Sequence, residues 1–121
     1  MMHGMTGNAA MMRPFAEKIL PDGWTLLVPE ARFNHPIRGF TWWRYDDFDA
    51  DVTRRMSLSR TELMDVDSSL SKLEKLIAEE APLGPLVVGG FSQGGAMAQE
   101  LLQLPIADLI QGVVCMGTRL V

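Results

Sequence analysis

Apolar positions along this chain alternate between a helical rhythm and short continuous runs. Met11, Met12, Phe15, Ile19 and Leu20 supply an apolar side behind Asn8, a plausible helix N-cap. Pro14 sits inside that segment and is expected to interrupt it, having no N–H to offer the carbonyl of Ala10. Pro21-Asp22-Gly23 marks a turn, and Trp24 to Val28 then reads as a buried strand closed by Pro29. From Glu30 to Met56 no periodicity is sustained, and a connection that long is expected to be a binding loop or lid.

Ser59-Arg60-Thr61-Glu62 has the form of a capping box, serine and glutamate each satisfying the other's backbone N–H. Leu63, Val66, Leu70, Leu73 and Ile77 follow at helical spacing, so one face packs on a sheet. Glu62, Asp65, Asp67, Lys72, Glu74, Lys75 and Glu79 are expected on the solvated side. Pro82-Leu83-Gly84-Pro85 ends this helix. Leu86 to Val88 is a continuous apolar run, as in a parallel strand buried on both faces. Small residues Gly94, Gly95, Ala96 and Ala98 then open a helix carrying Met97, Leu101 and Leu104, and Ile110 to Met116 forms a final strand. This succession predicts an α/β fold, one domain over 1–121 with a parallel sheet and flanking helices.

The chemistry concentrates where the apolar run meets the small-residue helix. Gly90-Phe91-Ser92-Gln93-Gly94 is a Gly-x-Ser-x-Gly elbow, in which a strand turns sharply into a helix and presents the serine at the tip. Glycines two residues either side relieve the crowding that the turn creates. The competing reading is an ordinary strand-to-helix turn whose serine caps the helix. A second element lies at the front of the chain. His3-Gly4-Met5-Thr6-Gly7-Asn8 forms a loop (3–8) able to turn a backbone N–H toward a developing oxyanion.

Together with Val28-Pro29-Glu30-Ala31 and Trp42-Trp43-Arg44-Tyr45-Asp46, these segments resemble the phospholipase/carboxylesterase family. That family comprises acyl-protein thioesterases and bacterial carboxylesterases of the α/β-hydrolase fold. The likeness runs in family order along nearly the whole chain. It implies Ser92 as nucleophile and the N–H groups of Met5 and Gln93 as oxyanion hole. It also places Trp42 and Trp43, on the long loop (30–58), near the acyl site as substrate-binding residues. The implied substrate is a small-molecule ester, a thioester or a lysophospholipid, and no cofactor is implied.

Composition narrows the alternatives. The 121 residues are 47% hydrophobic, enough for one modest core, and the net charge of −4 argues against nucleic acid or an anionic membrane as partner. No apolar run approaches the ~20 residues of a membrane span, so a cytoplasmic protein is expected; association into a homo-oligomer is compatible with the sequence. The single cysteine, Cys115, lies in an apolar run and is expected to be a buried, inert thiol. Asp47-Phe48-Asp49-Ala50-Asp51 begins like a calcium loop, but Val52 and Leu58 stand where the glycine and bidentate glutamate belong. His3, His35 and Cys115 offer no zinc spacing, and no Lys-Ser/Thr pair follows the glycines to make a phosphate loop. No metal site is expected.

Half of the catalytic machinery is not found. A serine hydroxyl needs a histidine to take its proton and a carboxylate to orient that histidine. After Ser92 the acidic residues are Glu100 and Asp108, and no histidine follows. The resemblance also implies an apolar strand before His3, between the strand ending at Val28 and the one ending at Phe91, where only Met1 and Met2 stand. A partial copy of the hydrolase fold is therefore expected, lacking that strand and the C-terminal ones. Either the two flanking strands close up, or a partner supplies a strand, or the chain folds poorly. Two functional readings remain: a serine hydrolase impaired or inactive as these residues stand, or a non-catalytic binding or assembly protein.

Overall fold

The computed structural model describes residues 1–46, 57–80 and 84–118. The acidic run at 47–51 and Pro82-Leu83 lie outside the described residues. Helix α1 (Ala9–Ile19) begins at Asn8, whose Oδ1 accepts from Met11 N–H at 2.8 Å. Contrary to expectation, Pro14 does not break it. Pro14 and Ala10 are both exposed, so water can take the carbonyl that the proline leaves free. Only Met12 and Ala16 are buried on α1; Met11, Phe15 and Ile19, expected on a packed side, face solvent.

A two-residue antiparallel ladder joins β1 (Phe33–Asn34) and β2 (Phe40–Thr41), and Gly7 bridges to Phe40. Helix α2 (Arg60–Glu80) opens with the capping box. Glu62 N–H donates to Ser59 Oγ at 3.2 Å, and Ser59 N–H donates to Glu62 Oε1 at 2.9 Å. Strand β3 (Leu86–Phe91) pairs in parallel with β4 (Ile110–Met116), with Gly90 opposite Cys115 and Phe91 opposite Met116. Between them run α3 (Gln93–Leu101) and a 3-10 turn over Pro105–Leu109. A parallel sheet with flanking helices, a partial α/β fold, is what the alternation of elements predicts.

Three expectations are corrected. Trp24–Val28 is not a ladder strand. Among the described residues it meets the sheet through the Met1 ammonium, which donates to Leu27 O at 2.8 Å. On the other side, Met2 N–H donates to Gly89 O at 2.8 Å and Met2 O accepts from Phe91 N–H at 3.1 Å. The two flanking segments therefore do not close up; Met1 and Met2 keep a place open between them. Second, β3 is covered on one face: Val88 is buried while Val87 and Phe91 are exposed. Third, Cys115 is exposed, its Sγ 3.5 Å from Gly95 O, because the outer side of β4 carries no further strand among the described residues. The core lies between α2, α3 and the sheet, with Trp42, Val66, Leu70, Leu73, Val88, Met97 and Leu101 at its centre.

Candidate active site

Ser92 sits between β3 and α3 with φ 53° and ψ −116°, a region that L-residues rarely enter. Its conformation costs about 1–3 kcal/mol and persists because the surroundings over-determine it. Ser92 N–H donates to Met116 O at 2.8 Å, and Ser92 O accepts from Ala96 N–H at 3.1 Å. Its side chain makes no capping bond to the helix, so the bland reading of Ser92 as a cap does not hold. The flanking glycines are needed sterically. A Cβ on Gly90 would stand 2.4 Å from Gly94 C, and one on Gly94 would stand 2.4 Å from the carbonyl oxygens of both Met2 and His3. The elbow thus packs backbone-to-backbone against the loop at the front of the chain.

That loop is itself tightly held. Thr6, at φ 69°, donates its N–H to Phe40 O at 3.0 Å, and Gly7 N–H donates to Gly4 O at 3.1 Å. A Cβ built on Gly4 would lie 3.6 Å from Ser92 Cβ, so the loop runs directly beside Ser92. Met5 follows Gly4 and is exposed. Gln93 opens α3, where the first N–H groups have no intrahelical acceptor. His3 is buried and fully committed. Its Nδ1 donates to Gly4 O at 2.7 Å and its Nε2 accepts from Ala31 N–H at 2.9 Å, which fixes the neutral tautomer. Burial holds its pKa below the usual histidine value, against smaller opposing effects of the Gly4 carbonyl and Glu30. His3 is therefore a structural strut with no ring nitrogen free to act as a base.

The tryptophan pair is pinned by groups that the sequence pattern assigned elsewhere. Trp42 is 1% exposed and Trp43 4%. Trp42 Nε1 donates to His3 O at 2.8 Å, and its ring lies 5.3 Å from the imidazole. Gln93, 5% exposed, reaches across from the elbow. Its Oε1 accepts from Trp42 N–H at 2.7 Å, while Nε2 donates to Thr41 Oγ1 at 2.9 Å and Trp43 O at 3.1 Å. Thr41 Oγ1 donates in turn to Trp43 O at 2.5 Å, and Ser69 Oγ donates to Trp42 O at 2.6 Å. The side chain of Gln93 thus joins nucleophile elbow to tryptophan segment, beyond any role of its N–H.

Two acids expected in solvent are likewise turned inward. Glu62 is fully buried, and its Oε2 accepts from Asp46 N–H at 2.9 Å. Asp65 accepts from Arg44 N–H at 2.9 Å, and from Arg44 Nε and Nη2 at 3.0 Å each. These bonds from Arg44 hold the Asp65 carboxyl below the usual carboxylate range. The guanidinium also lies 4.3 Å from the centre of the Phe33 ring. The available signal is the spacing of Glu62, Asp65 and Ser69, which shares the helix face of Val66, Leu70 and Leu73. A cavity of about 230 Å³ opens beside this segment, lined by Met5, Asn34, His35, Pro36, Thr41, Trp43, Arg44 and Tyr45. Trp43 Nε1 is buried without a hydrogen-bond partner among the described residues. Among those residues there is no helix long and apolar enough to cross a membrane, and no His, Cys, Asp or Glu cluster arranged for a metal ion.

A strained serine at a strand-to-helix elbow, packed against a His-Gly loop, defines the chain as a serine hydrolase of α/β type. The family model described as Serine hydrolase (FSH1) matches residues 1–108, and the chain belongs to that family. Membership is consistent with the likeness to phospholipase/carboxylesterase-type hydrolases. A search of curated proteins found no match.

Proposed function

We propose that this chain carries the nucleophile and oxyanion half of a hydrolase acting on carboxylic esters or thioesters. The observation that carries the reading is the backbone of Ser92, held at φ 53° beside Gly4. Ser92 Oγ attacks the acyl carbon, the carbonyl oxygen gains charge, and the N–H groups of Met5 and Gln93 receive it. The C–O or C–S bond then breaks, the alcohol or thiol leaves with the proton that Ser92 gave up, and water hydrolyses the acyl ester to a carboxylic acid and the free Ser92 hydroxyl. In this reading Trp43 and the cavity shared with Met5 take the acyl portion, whose apolar surroundings suit a short chain. Trp42, buried behind it, supports that wall and meets no substrate directly.

Among the described residues no hydrogen bond joins Ser92 to a histidine: His3 is committed at both nitrogens, His35 Nδ1 accepts from Ile37 N–H at 3.2 Å, and no histidine follows Ser92 in the 121 residues. The 121 residues alone therefore acylate slowly and turn over little. The test is mass spectrometry of the intact chain after hours with a fluorophosphonate or a p-nitrophenyl ester. An adduct on Ser92, absent in Ser92→Ala, is expected. A folded chain that stays unmodified at Ser92 refutes the site, and steady turnover lost in Ser92→Ala refutes the impairment.

A further inference from the structure

Thr6 is held at φ 69°, where a β-branched side chain crowds its own backbone. It is the third residue of the turn that Gly7 N–H closes on Gly4 O, and turns with positive φ there ordinarily carry glycine or asparagine. Gly4 O also accepts from His3 Nδ1, and across the trans peptide the Met5 N–H points the opposite way. What holds this turn is β2. Thr6 N–H donates to Phe40 O and Phe40 N–H donates to Gly7 O, at 3.0 Å each. Gly39, at φ 63°, lets the two segments meet, since a Cβ there would collide with the carbonyl oxygens of Thr6 and Gly7. Thr41 and Trp42, which follow Phe40, are bonded instead to the Gln93 side chain.

We propose that β2 is the spacer of the oxyanion hole: Phe40 fixes the Met5 turn, Thr41 and Trp42 fix Gln93, and Gly39 is the positioning residue that allows the first contact. The inference rests on the reading of the Met5 and Gln93 N–H groups as that hole. Two donors stabilise a developing oxyanion only while their separation matches it, and they must be in place before the charge appears. Met5 and Gln93 lie far apart in sequence, one on a loop and one at the start of α3, yet successive residues along β2 grip both. Strain at Thr6 is the cost of setting that turn, and the backbone of Phe40 is what maintains it.

Gly39→Ala in the full chain sets a methyl group against Thr6 O and should part the turn from β2. Amide exchange is read at Thr6 against Leu70, in the middle of α2, which reports global opening. Acylation of Ser92 by p-nitrophenyl butyrate is followed by intact mass over a range of ester concentrations. Relative to Leu70, Thr6 exchange is expected to quicken at least about tenfold. The limiting acylation rate should fall at least about tenfold, with the half-saturating concentration within about threefold of the parent's. A loss of folded chain alone would instead lower the fraction modified. Gln93→Leu should also quicken Thr6 exchange relative to Leu70, by at least about threefold, although Gln93 bonds to neither Thr6 nor Phe40. A folded Gly39→Ala chain with the parent's Thr6 exchange or the parent's limiting rate overturns the proposal. If Gly39→Ala does not fold, Gln93→Leu decides, and unchanged Thr6 exchange there overturns it. A parent never acylated at Ser92 refutes the reading of the site; Thr6 exchange in the two variants then still decides whether β2 sets the loop, faster exchange supporting it and unchanged exchange overturning it.

Discussion

Replacing Gln93 by leucine tests whether the elbow's own side chain holds the tryptophan segment in place. The two side chains are close in size, so the packing is largely kept and the polar partners are lost. Trp42 N–H, now 2.7 Å from Oε1, would be buried with no acceptor. Trp43 O would keep the Thr41 hydroxyl, and Thr41 Oγ1 would lose the Nε2 donor. One orphaned buried N–H costs about 1–3 kcal/mol and a weakened hydroxyl pair adds up to about 1, so a loss of about 2–3 kcal/mol is expected. At about 2.1 cal/mol/K per residue, 121 residues lose roughly 4 °C per kcal/mol, so the midpoint should fall by about 8–12 °C. Gln93→Glu sharpens the test. It keeps an acceptor for Trp42 N–H but turns a second oxygen toward the Trp43 carbonyl. Its deficit should exceed that of leucine at pH 7 and shrink as the pH falls and the carboxyl gains a proton. Urea and thermal unfolding of both variants decide the matter. A leucine variant within about 0.5 kcal/mol of the parent refutes the role of this side chain.

Ser92→Gly should stabilise the chain by about 1 kcal/mol in urea unfolding, since glycine enters the positive-φ region without strain; a loss of stability would contradict the strain at Ser92. Burial lowers the Met1 ammonium from 8.0 to about 6, which corresponds to roughly 3 kcal/mol. The unfolded chain keeps that proton up to higher pH than the folded one, so stability should rise between about pH 6 and 8, with His3 adding in the same direction below 6.5. A flat profile by urea unfolding would exclude it. Asp65→Ala strands the Arg44 N–H and should cost about 1–2 kcal/mol, whereas Arg44→Ala removes a half-exposed guanidinium and should cost less than about 1. The Asp65 contribution is present above the ordinary carboxylate range and lost as acid protonates the folded carboxyl, so Asp65→Ala should flatten the acid limb of the parent's unfolding curve.

Elements whose signal is local were legible in the sequence. The capping box at Ser59 and Glu62, the Asn8 cap, the Pro21–Gly23 turn and the elbow glycines each depend on residues within a few positions of one another. Elements that depend on a distant partner were not. Trp24–Val28 has strand composition, yet a strand exists only when a neighbour completes its ladder, and what the structure gives this segment is the single bond from Met1 to Leu27 O. Pro14 misled for the same reason in reverse, because the cost of a missing N–H depends on whether the carbonyl left behind is wet. Exposure of Met11, Phe15 and Cys115 likewise depends on what covers them, which no periodicity reports.

The candidate site divides along the same line, and the division explains how a strained serine survives in a small fold. Gly-x-Ser-x-Gly announces the strain, but what resists it comes from chain positions far away. Met2 and His3 place carbonyl oxygens against Gly94, β4 takes the Ser92 N–H, and Gln93 fastens α3 to Thr41, Trp42 and Trp43. That segment is in turn held by Ser69, Asp65 and Glu62 from a single face of α2. Removing Gln93 or Ser69 takes a buried hydrogen bond from Trp42, whereas Asp65 and Glu62 hold part-buried N–H groups at the edge of the segment. The conformation of Ser92 is thus held by contacts from the front of the chain, from β4 and from α3, while Gly-x-Ser-x-Gly by itself specifies only the turn.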